Sequence, residues 1–438
     1  MRSWLAALVL AMVASSAVAQ DRLRIDVDHA EGRAYQVAVQ HFERGPEVDA
    51  EFEERFHKDL VSALKYSGIA EAISPEAFLG TLDTRDYEDA SFQCDEWRVI
   101  GADALLQGRI ELTEGRLRVR FRLFDTVRCR PLGKPHRYRS GPGEIDQRRI
   151  SYLARRLADE VIHRFTGRRG VSSTQIAFVS DRGGNKEVFI MEADGSTPTR
   201  VTRNGDINLF PSWSPDADSL AYTSYKSGEP DVWLLSRGGR RNGPLLGSPD
   251  AKYRGVWAPL NGDLALVMSR EGNTDIYLVG ADGRRLRRLT RGRSIETSPS
   301  WSPDGRKLAY VSDRSGSPQI YVRDLATEQS RRLTFEGAYN ASPAWSPTGE
   351  WIVYAARAGS NFDLYLIDPV SGYTRPLVSH PRQDEEPAWS PDGRKVAFVS
   401  SRRGHREIYV IDVDGRNLRR LTANLGNSSN PAWASWLE

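Results

Sequence analysis

Seven histidines, the adjacent glutamates Glu385 and Glu386 and two cysteines are the side chains whose types could do chemistry in this 438-residue chain. His29, His41, His57, His136, His163, His380 and His405 lack the paired spacing that metal ligands or a catalytic triad use. A serine hydrolase would need a Gly-x-Ser-x-Gly elbow followed by a histidine, and the sequence has no such pentapeptide. Glu385 and Glu386 could serve as acid and base, but neighbours at a strand end are expected to point apart. Cys94 and Cys129 could join in an oxidising compartment or stay as two small unpaired residues, and the sequence leaves both open. Asp-Gly pairs at 194–195, 282–283 and 414–415 lack the spaced carboxylates of a calcium loop and read as hairpin turns. The residues therefore point to no catalytic set, no metal and no cofactor.

Composition narrows the partners. Charged residues make up 27% of the chain and nearly cancel, leaving a net charge of +3. Arginines are scattered, so nucleic-acid binding is not favoured. At the start, Arg2, an apolar run from Trp4 to Val13 and Ala17-Val18-Ala19 read as a cleaved signal peptide over 1–19. That run is too short to span a bilayer, and no cysteine lies beside the cleavage point for lipidation. An exported, periplasmic protein is expected.

The elements that must hold any site follow from a ladder of tryptophans. Trp213, Trp257, Trp301, Trp345, Trp389 and Trp433 recur every 44 residues. A second strand begins at Ile176, Leu220, Leu264, Leu308, Ile352 and Val396, and a third at Glu187, Asp231, Asp275, Gln319, Asp363 and Glu407. Arg-Arg-Leu-Thr at 287–290, 331–334 and 419–422 marks a fourth. Four strands per repeat at this period predict a β-propeller, here six blades over 171–438. The first repeat lacks its tryptophan strand and the last has one spare, so residues 431–435 should close the ring beside Ile176–Ser180.

Before the repeats, residues 33–167 read as a small α/β (α+β) domain. Its helices should run over 49–66, burying Phe52, Phe56, Leu60, Val61 and Leu64, and over about 145–165. Its hairpin should turn at Glu114-Gly115. Arg116, Arg118, Arg120 and Arg122 alternate with apolar residues, which is the pattern of a solvated strand face. Residues 20–32, with alternating Leu23, Ile25 and Val27, suit an extended arm.

Pro-Ala-Trp-Ser-Pro-Asp-Gly-Arg-Lys at 387–395, Val-Ala-Phe-Val-Ser at 396–400, Glu-Ile-Tyr-Val-Ile-Asp at 407–412 and Arg-Arg-Leu-Thr at 419–422 resemble the TolB-type propeller repeat. Leu60–Ala70, the 98–108 region and 162–167 look like the amino-terminal domain of the same family. The resemblance implies a monomeric, non-enzymatic periplasmic component of the Tol–Pal system. It would bind the peptidoglycan-associated lipoprotein Pal through one mouth of the propeller, and TolA through the arm at Leu23, Ile25 and Val27. Other envelope lipoproteins or porins are further partners it admits. It also implies roles in outer-membrane integrity and cell division.

In the family the mouth is built by connections leading into each tryptophan strand. Here these carry Asp206 and Asn208; Lys252, Tyr253 and Arg254; Ile295, Glu296 and Thr297; Tyr339 and Asn340; Asp384 and Glu385; and Asn427. Glu296-Thr297 is expected to give the main polar contact, while 252–254 departs from the family's His-Asn-type loop. These loops vary while the strands repeat, as expected of a binding face. Two readings compete with this one: a propeller hydrolase or lyase, and a carbohydrate-binding propeller using Trp97, Trp233, Trp351 and Trp436.

Overall fold

The computed structural model describes residues 33–78, 93–141, 146–237 and 242–437. The expected signal peptide over 1–19 and the expected arm over 20–32, with Leu23, Ile25 and Val27, lie outside them. The tryptophan ladder becomes six four-stranded antiparallel sheets. Each tryptophan strand is an edge strand of its sheet, and all six touch their neighbours around a closed ring. In the fourth blade the order is Glu296–Trp301, Lys307–Ser312, Gln319–Asp324 and Ser330–Arg332.

The first blade is closed as expected. Ser428–Trp433 pairs antiparallel with Gln175–Gly183, setting Ser428 opposite Ser180 and Trp433 opposite Ile176. The pairing begins three residues earlier than the sequence reading placed it. Apolar residues alternate along the strands, so the propeller core lies between blades; Val353, Leu364 and Leu366 of the fifth meet Val396, Phe398 and Ile411 of the sixth. The indoles of Trp257, Trp301 and Trp389 donate to the carbonyls of Ser212, Val256 and Ala344 at 2.9–3.2 Å, stitching the third, fourth and sixth blades to the ones before them.

In the amino-terminal domain, β1 (Tyr35–Val39), β2 (Glu43–Arg44), β3 (Ala70–Ala72), β4 (Ala104–Thr113), β5 (Arg116–Asp125), β6 (Arg130–Pro131) and β7 (His136–Arg139) form one mixed sheet. Helix α1 (Ala50–Ser67) starts where the Asp49 carboxylate accepts from the Phe52 N–H, and ends at Gly68 in the left-handed region. The short α2 (Cys94–Val99) precedes β4, and α3 (Gln147–Thr166) ends in the same left-handed way at Gly167. Phe56, Leu60 and Leu64 of α1 and Leu157, Val161 and Phe165 of α3 share one core with β1, β4 and β5; each such side chain contributes about 1.5–3 kcal/mol by leaving water. Cys94 and Cys129 are joined by a disulfide, with Cα atoms 5.6 Å apart. Along the arginine row, Arg120 pairs with Glu111 at 2.6 Å, and all four arginines are partly exposed.

The two domains share a built joint. Ser172 and Ser173 donate their N–H groups to the buried carboxylate of Asp159 on α3, and the Ser173 hydroxyl donates a third bond. Tyr66 of α1 donates to the Ala193 carbonyl, and Arg155 of α3 pairs with Glu192 and Asp194. Trp436, read from sequence as free to act, donates to the Gly170 carbonyl in this joint. Trp97 likewise is buried in the amino-terminal core, packed with Leu105 and Phe124.

Candidate functional site

The innermost strands position the site, and each carries one irregularity at one repeat position. Phe210, Arg254, Ser298, Ser342, Glu386 and Asn430 all have positive φ, between 49° and 55°. Each sits where the ladder to the next strand slips out of register, as between Glu385 and Ala388. A left-handed residue without glycine's freedom costs about 1 kcal/mol or more, and the surrounding sheet must impose it. The bulge re-aims the side chain. Phe210, Arg254, Glu386 and Asn430 line the central channel, a cavity of about 550 Å³.

Half of that channel is wired together. Arg406 donates to Glu385 at 2.9 Å and to Glu386 at 2.7 Å. Glu386 also accepts from the backbone and side-chain N–H groups of Asn430, whose side-chain Oδ1 accepts from the Phe210 N–H. Arg254 lies 5.2 Å over the Phe210 ring. Burial lowers the pKa of Arg254 while Glu386 opposes the shift; burial raises that of Glu385, opposed first by Arg406. The expectation that Glu385 and Glu386 point apart is therefore corrected: the bulge at Glu386 brings both carboxylates onto one guanidinium. They are engaged as an ion-paired cluster.

At the mouth where the connecting loops enter these strands, buried and exposed residues divide the work. One repeat position at the start of the innermost strand is buried in every blade: Asn208, Lys252, Glu296, Asn340, Asp384 and Ser428. Glu296, expected as the main contact, is 0% exposed; both its oxygens are held by Arg314, and Ser312 and Ser294 donate to it as well. Asp384 is paired with Arg402 at 3.1 Å, and Lys252 donates to the carbonyls of Ser248 and Asp250. Asn208 and Asn340 donate to Glu187 and Gln319 of the preceding blade. These five are internal pegs that set the loops, because a side chain with no exposed surface cannot meet a partner without the loop opening.

The loop tips lie just before the pegs. Ile295 is 54% exposed, Tyr339 39% and Ile207 43%. Phe335, 73% exposed, stands on the same connection as Tyr339, beneath Arg332. Asn427 is exposed but tied to Asp181, while Asp206, Tyr253, Arg254, Thr297 and Glu385 are half-buried. Sequence reasoning passed over Phe335 and gave Ile207 no weight; an apolar residue inside a polar, glycine-containing connection was the available signal. On this mouth, four large apolar side chains thus stand exposed on the connections that lead into the channel strands.

The fold and this rim define a two-domain propeller protein with a ring closed by its last strand and a pegged loop face. Comparison narrows the class. A profile of the TolB amino-terminal domain matches residues 23–132, and one of the TolB beta propeller domain matches residues 162–437. The chain belongs to the TolB family. It is 37% identical to the Tol-Pal system protein TolB of Desulfosudis oleivorans over 162 residues, 37% of this chain and 35% of that protein. It is 33% identical to the one from Bordetella parapertussis over 230 residues, 50% and 47% of the two chains. The aligned stretches thus span between a third and a half of these relatives' own length. The crystal structure of TolB from Acinetobacter baumannii superposes with a TM-score of 0.76 at 25% identity, covering 92% of this chain and 97% of that one.

Proposed function

We propose that the protein is a periplasmic binding component of the Tol–Pal system that acts without catalysis. It takes a Pal-type peptidoglycan-associated lipoprotein on the mouth of the propeller and TolA through the arm at 20–32, in support of outer-membrane integrity and division. The observation that carries the reading is the rim of Ile207, Ile295, Phe335 and Tyr339 set on buried pegs. Exposed apolar groups on a rigid frame lose little freedom when a partner covers them, so most of their burial appears as affinity. Thr297, Tyr253, Arg254 and Glu385 give the polar contacts around that centre. No helix among the described residues is long and apolar enough to cross a membrane, which fits a component working beside the envelope.

Calorimetric titration with a purified Pal-type lipoprotein lacking its lipid tests the face. Ile295→Asp combined with Tyr339→Ala should weaken binding at least tenfold with an unchanged melt. Tyr373→Ala, exposed on a turn between the last two strands of the fifth blade, should leave affinity unchanged. Equal affinity for parent and double variant would remove this face from the reading.

A further inference from the structure

Glu53 and His57 are four residues apart on α1 and therefore share one helix face. His41, two residues beyond β1, stacks on His57 with ring centres 4.1 Å apart and 15° between planes. The Oε2 atom of Glu53 is 2.8 Å from His41 Nδ1, and its Oε1 accepts from the Phe42 N–H at 2.8 Å. One ring nitrogen from each histidine and one carboxylate oxygen lie within 4.8 Å of one another. His57 is only 8% exposed, and its Nδ1 is buried without a hydrogen-bond partner. The ring also engages the Gln40 backbone, but its Nδ1 is left unpaired, which packing alone does not account for.

We propose that His41, Glu53 and His57 form a binding site for a divalent transition ion of the zinc type. Two imidazoles and one carboxylate are the donor set such an ion accepts, leaving a fourth position for water. Bonds of about 2.1 Å in a tetrahedral site need donors about 3.4 Å apart, so Glu53 and His41, now 2.8 Å apart, must part slightly while the donors that lie up to 4.8 Å apart close by roughly an ångström. His41 is the member able to move, because its side chain is 39% exposed whereas those of Glu53 and His57 are held on the helix. When the ion takes His41 through Nδ1, the proton there shifts to Nε2, and the Phe42 N–H keeps the carboxylate oriented. The site would tie the chain after β1 to the start of α1. Sequence spacing hid it, since one ligand comes from a turn and the others from a helix.

The full chain, prepared without a histidine tag and stripped with chelator, would be titrated with Co²⁺ by visible absorption and with Zn²⁺ by calorimetry. One ion per chain, visible d–d bands and a raised melting temperature are expected. His41→Ala, at the most exposed ligand, should weaken binding at least tenfold while the metal-free protein still melts cooperatively. His57→Asn should do the same to binding, and His163→Ala, exposed on α3, should leave it intact. Absence of d–d bands and of binding heat at micromolar ion overturns the site, as does binding that both His41→Ala and His57→Asn leave unaltered.

Discussion

The two domains solve the same problem of burying apolar surface in opposite ways. The amino-terminal domain has one main core in which each residue has its own surroundings, with α1 and α3 packed on a single sheet. The propeller divides its core among the spaces between blades, and each repeat position meets nearly the same surroundings six times. Repetition separates duties. Strand positions and pegs hold the ring, while the tips beside them are free to differ. In the amino-terminal domain no such separation exists, and one side chain such as Glu53 caps a backbone N–H, pairs with His41 and packs the helix at once.

The hardest test of this contrast is to open the ring. Deleting residues 428–438 removes the innermost strand of the first blade and the Trp436 bond to the joint, and should lower the propeller's melting temperature by on the order of 10 °C or more. A melt unmoved by the truncation would mean that the blades do not depend on closure.

A smaller effect separates pegs from tips. Glu296→Lys places a cation in a buried position against Arg314 and should cost about 3–5 kcal/mol, whereas Tyr339→Ala should change stability by about 0.5 kcal/mol or less. Denaturant titration of the two variants checks the division, and comparable losses would erase it.

The smallest effect lies at the joint between the domains. Three donors favour the Asp159 carboxylate and Arg169 assists them, yet burial outweighs them and pushes its pKa up to about 6. The folded value exceeds the unfolded one near 3.9, so the stability this group adds is present at low pH and lost as pH rises through about 6. Relative to Asp159→Asn, which does not titrate, the parent should gain about 1 kcal/mol as pH falls from 7 to 5. A pH-independent difference between the two proteins would show that Asp159 stays ionised throughout.

The propeller was legible because its information repeats. Six tryptophans, six second strands and recurring Asp-Gly turns gave the blade count and the closing strand. The amino-terminal helices were legible from periodicity, and their ends moved by only one or two residues. The mouth was legible as a place but not residue by residue. A carboxylate such as Glu296 looks like a surface contact in a varied loop, and only Arg314, eighteen residues on, shows that it is a peg.

By itself, then, the sequence determined the period, the order of the strands and which loops vary, because those depend on local turn chemistry and on alternation along the chain. Tertiary structure alone decided which loop residues face water, how the bulge turns Glu385 and Glu386 onto Arg406, that Cys94 meets Cys129, and that His41 meets His57. Each of these depends on distances across the fold between groups far apart in sequence, and no spacing along the chain encodes them.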